Sequence, residues 1–322
     1  MKTAAEVLEA FENIRRAQTA GVYAPHKPLL LLLALARVQR GEARLVEFAD
    51  IDATMKVLLA QFGTTGATAT RHYPFWHLQT DRGGALWDFA RPAHWADRAA
   101  GATPTLTELR RFHSKAGFAS DIDAALRHVP GLLEAVAGRI LESCFPATLH
   151  SDIAAAVGLD LSAAPSAQQD APGARAALAR PARNGRSPDF RERVLRAYEY
   201  RCCVCGFDLR IAHMPAGLEA AHIQWHHTGG PDIEPNGLSL CSLHHKLFDL
   251  GVFTLEPTGL RVIYSEHAIA GGRGASGDLQ FHGRPIHRPQ NPSLLPAAVF
   301  LAWNESNVFK RPARRVGLDA GD

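Results

Sequence analysis

"CSLHHKLFD", Cys241 to Asp249, sets one cysteine, two adjacent histidines and an aspartate within about two turns of a helix. Neighbouring helical residues point about 100° apart, so His244 and His245 face different surroundings. Cys241 and His244 stand three apart, a spacing that presents two ligands to one tetrahedral ion. Such a half-site needs a partner. The segment "CCVCG", Cys202 to Gly206, supplies it through the C-x-x-C pair Cys202 and Cys205. Cys202, Cys205, Cys241 and His244 then form a Cys3His set of the kind that holds structural zinc. Cys203 and His245 are the competitors for register.

Outward from that motif, 322 residues give room for two domains of about 150 residues each. A hydrophobic content of 46% and a charged content of 21% are ordinary for a globular chain. The formal charge of +3 permits nucleic-acid binding without requiring it. Of five cysteines, Cys144 stands alone and the others cluster, which favours metal over disulfide in a reducing compartment. "PLLLLLALA", Pro28 to Ala36, is far short of the roughly 20 residues that span a bilayer and reads as a buried core helix. The first residues, "MKTAAEVLEAFENIRRAQ", read as an amphipathic helix rather than a signal peptide. No membrane association and a cytoplasmic location are the expectations.

Between residues 159 and 186 the chain becomes rich in Ala, Pro, Gly, Ser and Gln with almost no large apolar side chains, the composition of a linker. Arg175, Arg180, Arg183 and Arg186 make its later part basic. The expected organisation is an α-rich mixed domain at 1–158, a flexible basic linker at 159–186 and a second domain at 187–322, α+β as a whole. The second domain should open on a helix in "SPDFRERVLRAYEY", with Ser187 as its cap, and continue as a strand in "GLEAAHIQW" and a turn-rich loop in "HHTGGPDIEPNG". The stretch "LSLCSLHHKLFDLG" reads as helical, stopped by Gly251.

The zinc knuckle leaves His222, Asn236, His245 and Asp249 to be explained. Two histidines bracketing an asparagine, on strand, loop and helix, form the pattern called HNH, and residues 187 to 256 resemble the HNH endonucleases whose motif is framed by a C-x-x-C/C-x-x-H zinc site. That resemblance implies a zinc-stapled ββα-metal fold that hydrolyses DNA. His222 would be the general base, since imidazole titrates near neutral pH. His245 would bind a catalytic divalent ion, Mg2+ or Mn2+, with Asp249 one turn later as a second ligand. Asn236 would fix the loop and orient His222, or contact the metal. Many members carry an Asp or His just before the base, where this chain has Ala221. His226 and His227 read as exposed or phosphate-contacting, and Trp225 as packing.

In the first domain, "YAPHKPLLLLLAL" sets His26 and Lys27 at the mouth of the core helix, and "RHYPFWHLQ" sets Arg71, His72, Tyr73, Pro74 and His77 together. With "SKAGF" and the downstream HNH pattern, these segments resemble the sulfur-binding-domain restriction endonucleases that recognise phosphorothioate-modified DNA. The resemblance implies a small pocket with Tyr73 and Pro74 as apolar wall and His26 and Lys27 flanking the phosphate. Arg71 adds a cation, and His77 stands where the family often has a smaller residue. Sulfur is larger and more polarisable than oxygen and a poorer hydrogen-bond acceptor, so an apolar contact costs it less.

The expected protein is a modification-dependent, type IV-like DNA endonuclease acting on double-stranded DNA, with homodimerisation as one route to cutting both strands. Two alternatives stay open: an HNH nuclease reading a methylated base, and a zinc DNA-binding protein without catalysis. The second has no use for His222 or Asn236.

Overall fold

The computed structural model describes residues 2–12, 14, 18–19, 22–64, 66–90, 95, 102–161, 188–270 and 279–315. The chain divides into two compact units, Met1–Ala182 and Arg183–Asp322. Most of the expected linker, with its four arginines, and the expected helix cap Ser187 lie outside the described residues.

In the first unit, helix α1 (Ala4–Glu12) precedes a two-residue hairpin, β1 (Gln18–Thr19) and β2 (Val22–Tyr23), and the core helix α2 (His26–Gln39). There follow β3 (Val46–Glu47), α3 (Phe48–Phe62), α4 (Tyr73–His77), β4 (Trp87–Phe89), α5 (Leu106–Arg111), β5 (Lys115–Phe118), α6 (Ser120–His128), α7 (Leu132–Cys144) and α8 (His150–Val157). Every residue from Pro28 to Ala36 is buried, because α2 is covered by α3, α4, α6, α7 and α8. A helix that is apolar all round is a central helix. The strands pair antiparallel in the order β3-β5-β4, with Val46 opposite Ala116 and Trp87 opposite Phe118. Phe75 of α4 joins this layer edge-on, 5.2 Å from Phe48 and 6.4 Å from Trp87. That contact turns "YPFWH" into a short helix whose apolar side is anchored.

The second unit opens on α9 (Pro188–Ala197) and a small hairpin, β6 (Arg210–Ile211) with β7 (Met214–Pro215). It continues with β8 (Leu218–His222), β9 (Gly237–Cys241), α10 (Ser242–Asp249), β10 (Phe253–Glu256), β11 (Arg261–Tyr264) and α11 (Ala298–Asn307). β8 and β9 run antiparallel, from Leu218 opposite Cys241 to His222 opposite Gly237. The helix expected across "LSLCSLHHKLFDLG" is therefore shorter. Leu238 and Leu240 are buried on β9, and helix begins only at Ser242. Alternation of Leu238, Ser239 and Leu240 against β8 outweighs helical spacing there. Phe190, Val194 and Leu195 of α9, with Tyr198 just after it, pack with Leu218, Leu238, Phe248 and Phe253 in one core. Gly251 ends α10 at φ +71°, and a Cβ there would lie 2.0 Å from the Val308 carbonyl oxygen. Strand, strand and helix are thus held between α9 and the β10–β11 hairpin. Among the described residues no helix is long and apolar enough to cross a membrane.

Candidate functional site

Cys202, Cys205, Cys241 and His244 converge, their ligand atoms all within 4.8 Å of one another. Cys205 Sγ lies 4.0 Å from Cys241 Sγ, and His244 Nδ1 lies 3.6 Å from Cys202 Sγ and 3.1 Å from Cys241 Sγ. With Zn–S near 2.3 Å, the edge of a tetrahedral thiolate site is about 3.8 Å, so four soft ligands at these spacings fit one zinc ion. Of the register competitors, Cys203 is buried outside the cluster and His245 faces elsewhere.

His222, at the end of β8, is 7% exposed. Its ring stacks on Phe190 of α9 at 4.2 Å and 18°, and its Nε2 donates to Asp232 Oδ1 at 2.7 Å. Asp232 was not legible as a partner, since it stands ten positions beyond His222 across a turn-rich loop. The backbone carbonyl of Asp232 accepts from Arg193, which also pairs with Glu234. Asn236 is fully buried. Its side-chain oxygen accepts from Gln224 N at 2.8 Å, and its amide donates to the carbonyls of Gln224 and Pro231 at 3.0 Å each. Of the two roles expected for Asn236, these contacts are those of a loop clamp. Gly230 belongs to the same clamp, for a Cβ there would lie 1.9 Å from the Gln224 carbonyl oxygen.

His245 sits between two carboxylates, with Nδ1 2.6 Å from Glu219 Oε2 and Nε2 3.3 Å from Asp249 Oδ2. The His245 contact draws Glu219 below the ordinary carboxylate range. Asp249 is buried, and its other oxygen accepts from the Trp225 indole at 3.1 Å. Trp225 packs edge-on against Trp303 of α11 at 5.7 Å, as its packing role requires. His226 lies 5.7 Å from the His222 ring and His227 5.4 Å from Trp225.

In the first unit the expected residues gather around α2 and α4, two elements in contact. Tyr73 is 44% exposed, beside buried Pro74. Its ring meets His72 at 4.7 Å and His77 at 5.8 Å, both edge-on. His77 Nε2 lies 2.9 Å from Thr103 Oγ1. His26 Nε2 is taken up by the Ala67 carbonyl at 2.8 Å and Thr70 Oγ1 at 3.0 Å. Lys27 is no bare cation: its ammonium lies 2.7 Å from Asp81, in a largely buried pair. Arg71 is likewise engaged, 2.6 Å from Asp52, which Arg110 also grips. Burial lowers His26, His72 and His77 below the ordinary histidine value, with the Arg71 charge adding to the effect at His72 and the Lys27 charge at His77. The arrangement offers neutral imidazoles, one exposed phenol ring and charges already matched by Asp52 and Asp81. Those aspartates, in "DIDAT" and "LQTDR", carried no signal that sequence could assign.

Residues 4–162 match the family model described as the ScoMcrA-like DNA sulfur-binding domain, and residues 202–256 match that of the HNH endonuclease. No curated protein matches the chain. Similar solved structures include the sulfur-binding domain of ScoMcrA complexed with phosphorothioated DNA (25% identity, TM-score 0.41, covering 49% of this chain and 97% of that one). Another is the type IV phosphorothioation-dependent restriction endonuclease ScoMcrA (24% identity, TM-score 0.39), where 49% of this chain spans 28% of the longer protein. A third is the modification-dependent TagI restriction endonuclease, at 25% identity and a TM-score of 0.28, with 38% of each chain covered.

Proposed function

We propose that this chain, which joins a ScoMcrA-like DNA sulfur-binding domain to an HNH endonuclease domain, is a phosphorothioate-dependent DNA endonuclease. It would act in the cytoplasm, with the domain of residues 1–158 reading the mark and that of 187–322 cutting nearby.

The observation that carries the nuclease reading is His222, held by Phe190 on its face and by Asp232 on Nε2. A carboxylate can only accept, so Nε2 carries the proton and the basic lone pair belongs to Nδ1. In hydrolysis the water oxygen bonds to phosphorus, its proton passes to His222, and the phosphorus–oxygen bond to the leaving sugar breaks. Burial under the core keeps the ring from rotating away from that task. An HNH centre works with a divalent ion, Mg2+ or Mn2+, which neutralises charge on the phosphorane and the leaving oxygen. His245, with a carboxylate beside it, would hold that ion. Asn236 keeps the loop between β8 and β9 closed, so that Asp232 stays opposite His222. The Cys3His cluster would carry zinc purely for structure, since a closed four-ligand shell has no position for water.

For the reader, exposed Tyr73 next to buried Pro74 supports an apolar wall for sulfur. His72 and His77, uncharged at neutral pH, would face a group that accepts hydrogen bonds poorly. Lys27, tied to Asp81, would contribute N–H contacts to phosphate with little net charge. Matched duplexes bearing no mark, one phosphorothioate or methylcytosine test the proposal directly. Cutting confined to the phosphorothioate duplex supports it, and cutting of the methylated duplex alone supports a base reader.

A further inference from the structure

Ala221 stands next to the base, where many HNH members carry a metal ligand; its methyl group can bind no ion, and it is fully buried in the core of the second unit. A strand alternates its faces, so Glu219 shares the face of Ala221, the one turned to α10. There it meets His245 Nδ1 at 2.6 Å, with its side chain 41% exposed. Asp249 differs sharply. It is 2% exposed, one oxygen accepts from Trp225 Nε1, and the other lies 3.3 Å from His245 Nε2.

Histidines that bind metals almost always donate their other ring N–H to a carboxylate, which fixes the tautomer and raises the basicity of the ligating nitrogen. Asp249, buried and oriented by an indole, suits that supporting task. In the structure Nδ1 donates to Glu219. On metal binding that proton would leave, His245 would keep the proton on Nε2 facing Asp249, and the ion would take its place between Nδ1 and Glu219. We infer that the catalytic divalent ion is held by Glu219 together with His245 Nδ1, and that Asp249 is the carboxylate that orients His245 rather than a ligand. The spacing fits: two cis ligands at 2.0–2.1 Å from an octahedral ion stand about 3 Å apart, close to the 2.6 Å between Glu219 Oε2 and His245 Nδ1. A hard carboxylate oxygen on an exposed side chain also leaves room for water and phosphate at the remaining positions. This inference rests on the HNH reading of His245, and it explains how the chain dispenses with an acidic residue at 221.

Mn2+ binding to the zinc-loaded full chain, followed by the electron paramagnetic resonance signal of free Mn2+, separates the possibilities. Glu219→Gln keeps an oxygen that can accept from an imidazole N–H but loses the charge. It is expected to weaken Mn2+ binding by about tenfold or more, with zinc content and melting temperature unchanged. Glu219→Asp, which keeps the charge, should retain more affinity than the Gln variant. Mn2+ binding by Glu219→Gln equal to wild type would overturn the inference. His245→Ala is the control: if it loses Mn2+ while Glu219→Gln does not, only the role of Glu219 fails. If His245→Ala also binds Mn2+ normally, the nuclease-centre reading itself fails.

Discussion

His222 Nε2 donates to Asp232 Oδ1 across 2.7 Å, while the ring lies flat on Phe190. The pair fixes which imidazole nitrogen holds the proton. Asp232→Asn presents an amide that can donate as well as accept, so the ring can adopt the other tautomer. We expect DNA binding and zinc content to persist while the single-turnover cleavage rate falls by on the order of 10²-fold, within the range of general-base contributions. An unchanged rate would show that Asp232 does not position the base.

His222→Ala should abolish cleavage with the fold preserved, since no zinc ligand is lost. Near wild-type cutting in Mg2+ or Mn2+ would refute the mechanism.

Asn236 makes three hydrogen bonds to the backbone of its own loop from a fully buried position. Asn236→Ala leaves those groups without partners, at a cost of about 1–3 kcal/mol each where water cannot reach them. The second unit should melt earlier and cleavage should drop with it. Chemical denaturation read alongside activity checks both.

Cys205→Ser opens the Cys3His cluster. Structural zinc sites contribute about 10–16 kcal/mol of binding free energy at pH 7, so this variant should lose zinc and the second unit should unfold. Native zinc content with a native melting profile would remove the cluster from the account.

Sequence made the Cys3His set legible because paired knuckles announce themselves by spacing, and α2 because nine successive residues from Pro28 have nowhere to go but inside. The partners of the functional side chains were hidden. Asp232, Glu219, Asp81 and Asp52 look like ordinary surface acids until strand pairing and helix packing bring them to His222, His245, Lys27 and Arg71. The strand at Gly237–Cys241 was hidden for a different reason, since Leu238, Leu240 and Leu243 satisfy two periodicities at once. Only pairing with β8 decides between them.

The three histidines of the first unit set a pH dependence. Burial lowers His26, His72 and His77 below 6.5, so the unfolded chain takes up protons that the folded unit resists. The stability they confer is present above pH 6.5 and is lost as pH falls through their lower folded values. Melting of the full chain at pH 7.5 and at 5.5 should show the first unit weakening at the lower pH, and His26→Gln should flatten that dependence.

Sulfur recognition is the central claim, and binding by the His222→Ala full chain to matched duplexes, one with a single phosphorothioate, tests it without interference from cutting. A pocket for one small group is worth about 1–3 kcal/mol, so the marked duplex should bind roughly ten- to a hundredfold more tightly. Salt should weaken both complexes through phosphate contacts and leave the ratio nearly constant, because an apolar contact is not screened. Tyr73→Ala should bring the ratio towards one with little change on plain DNA. Equal affinity for the two duplexes at several salt concentrations would contradict the claim and leave the nuclease centre standing on its own residues.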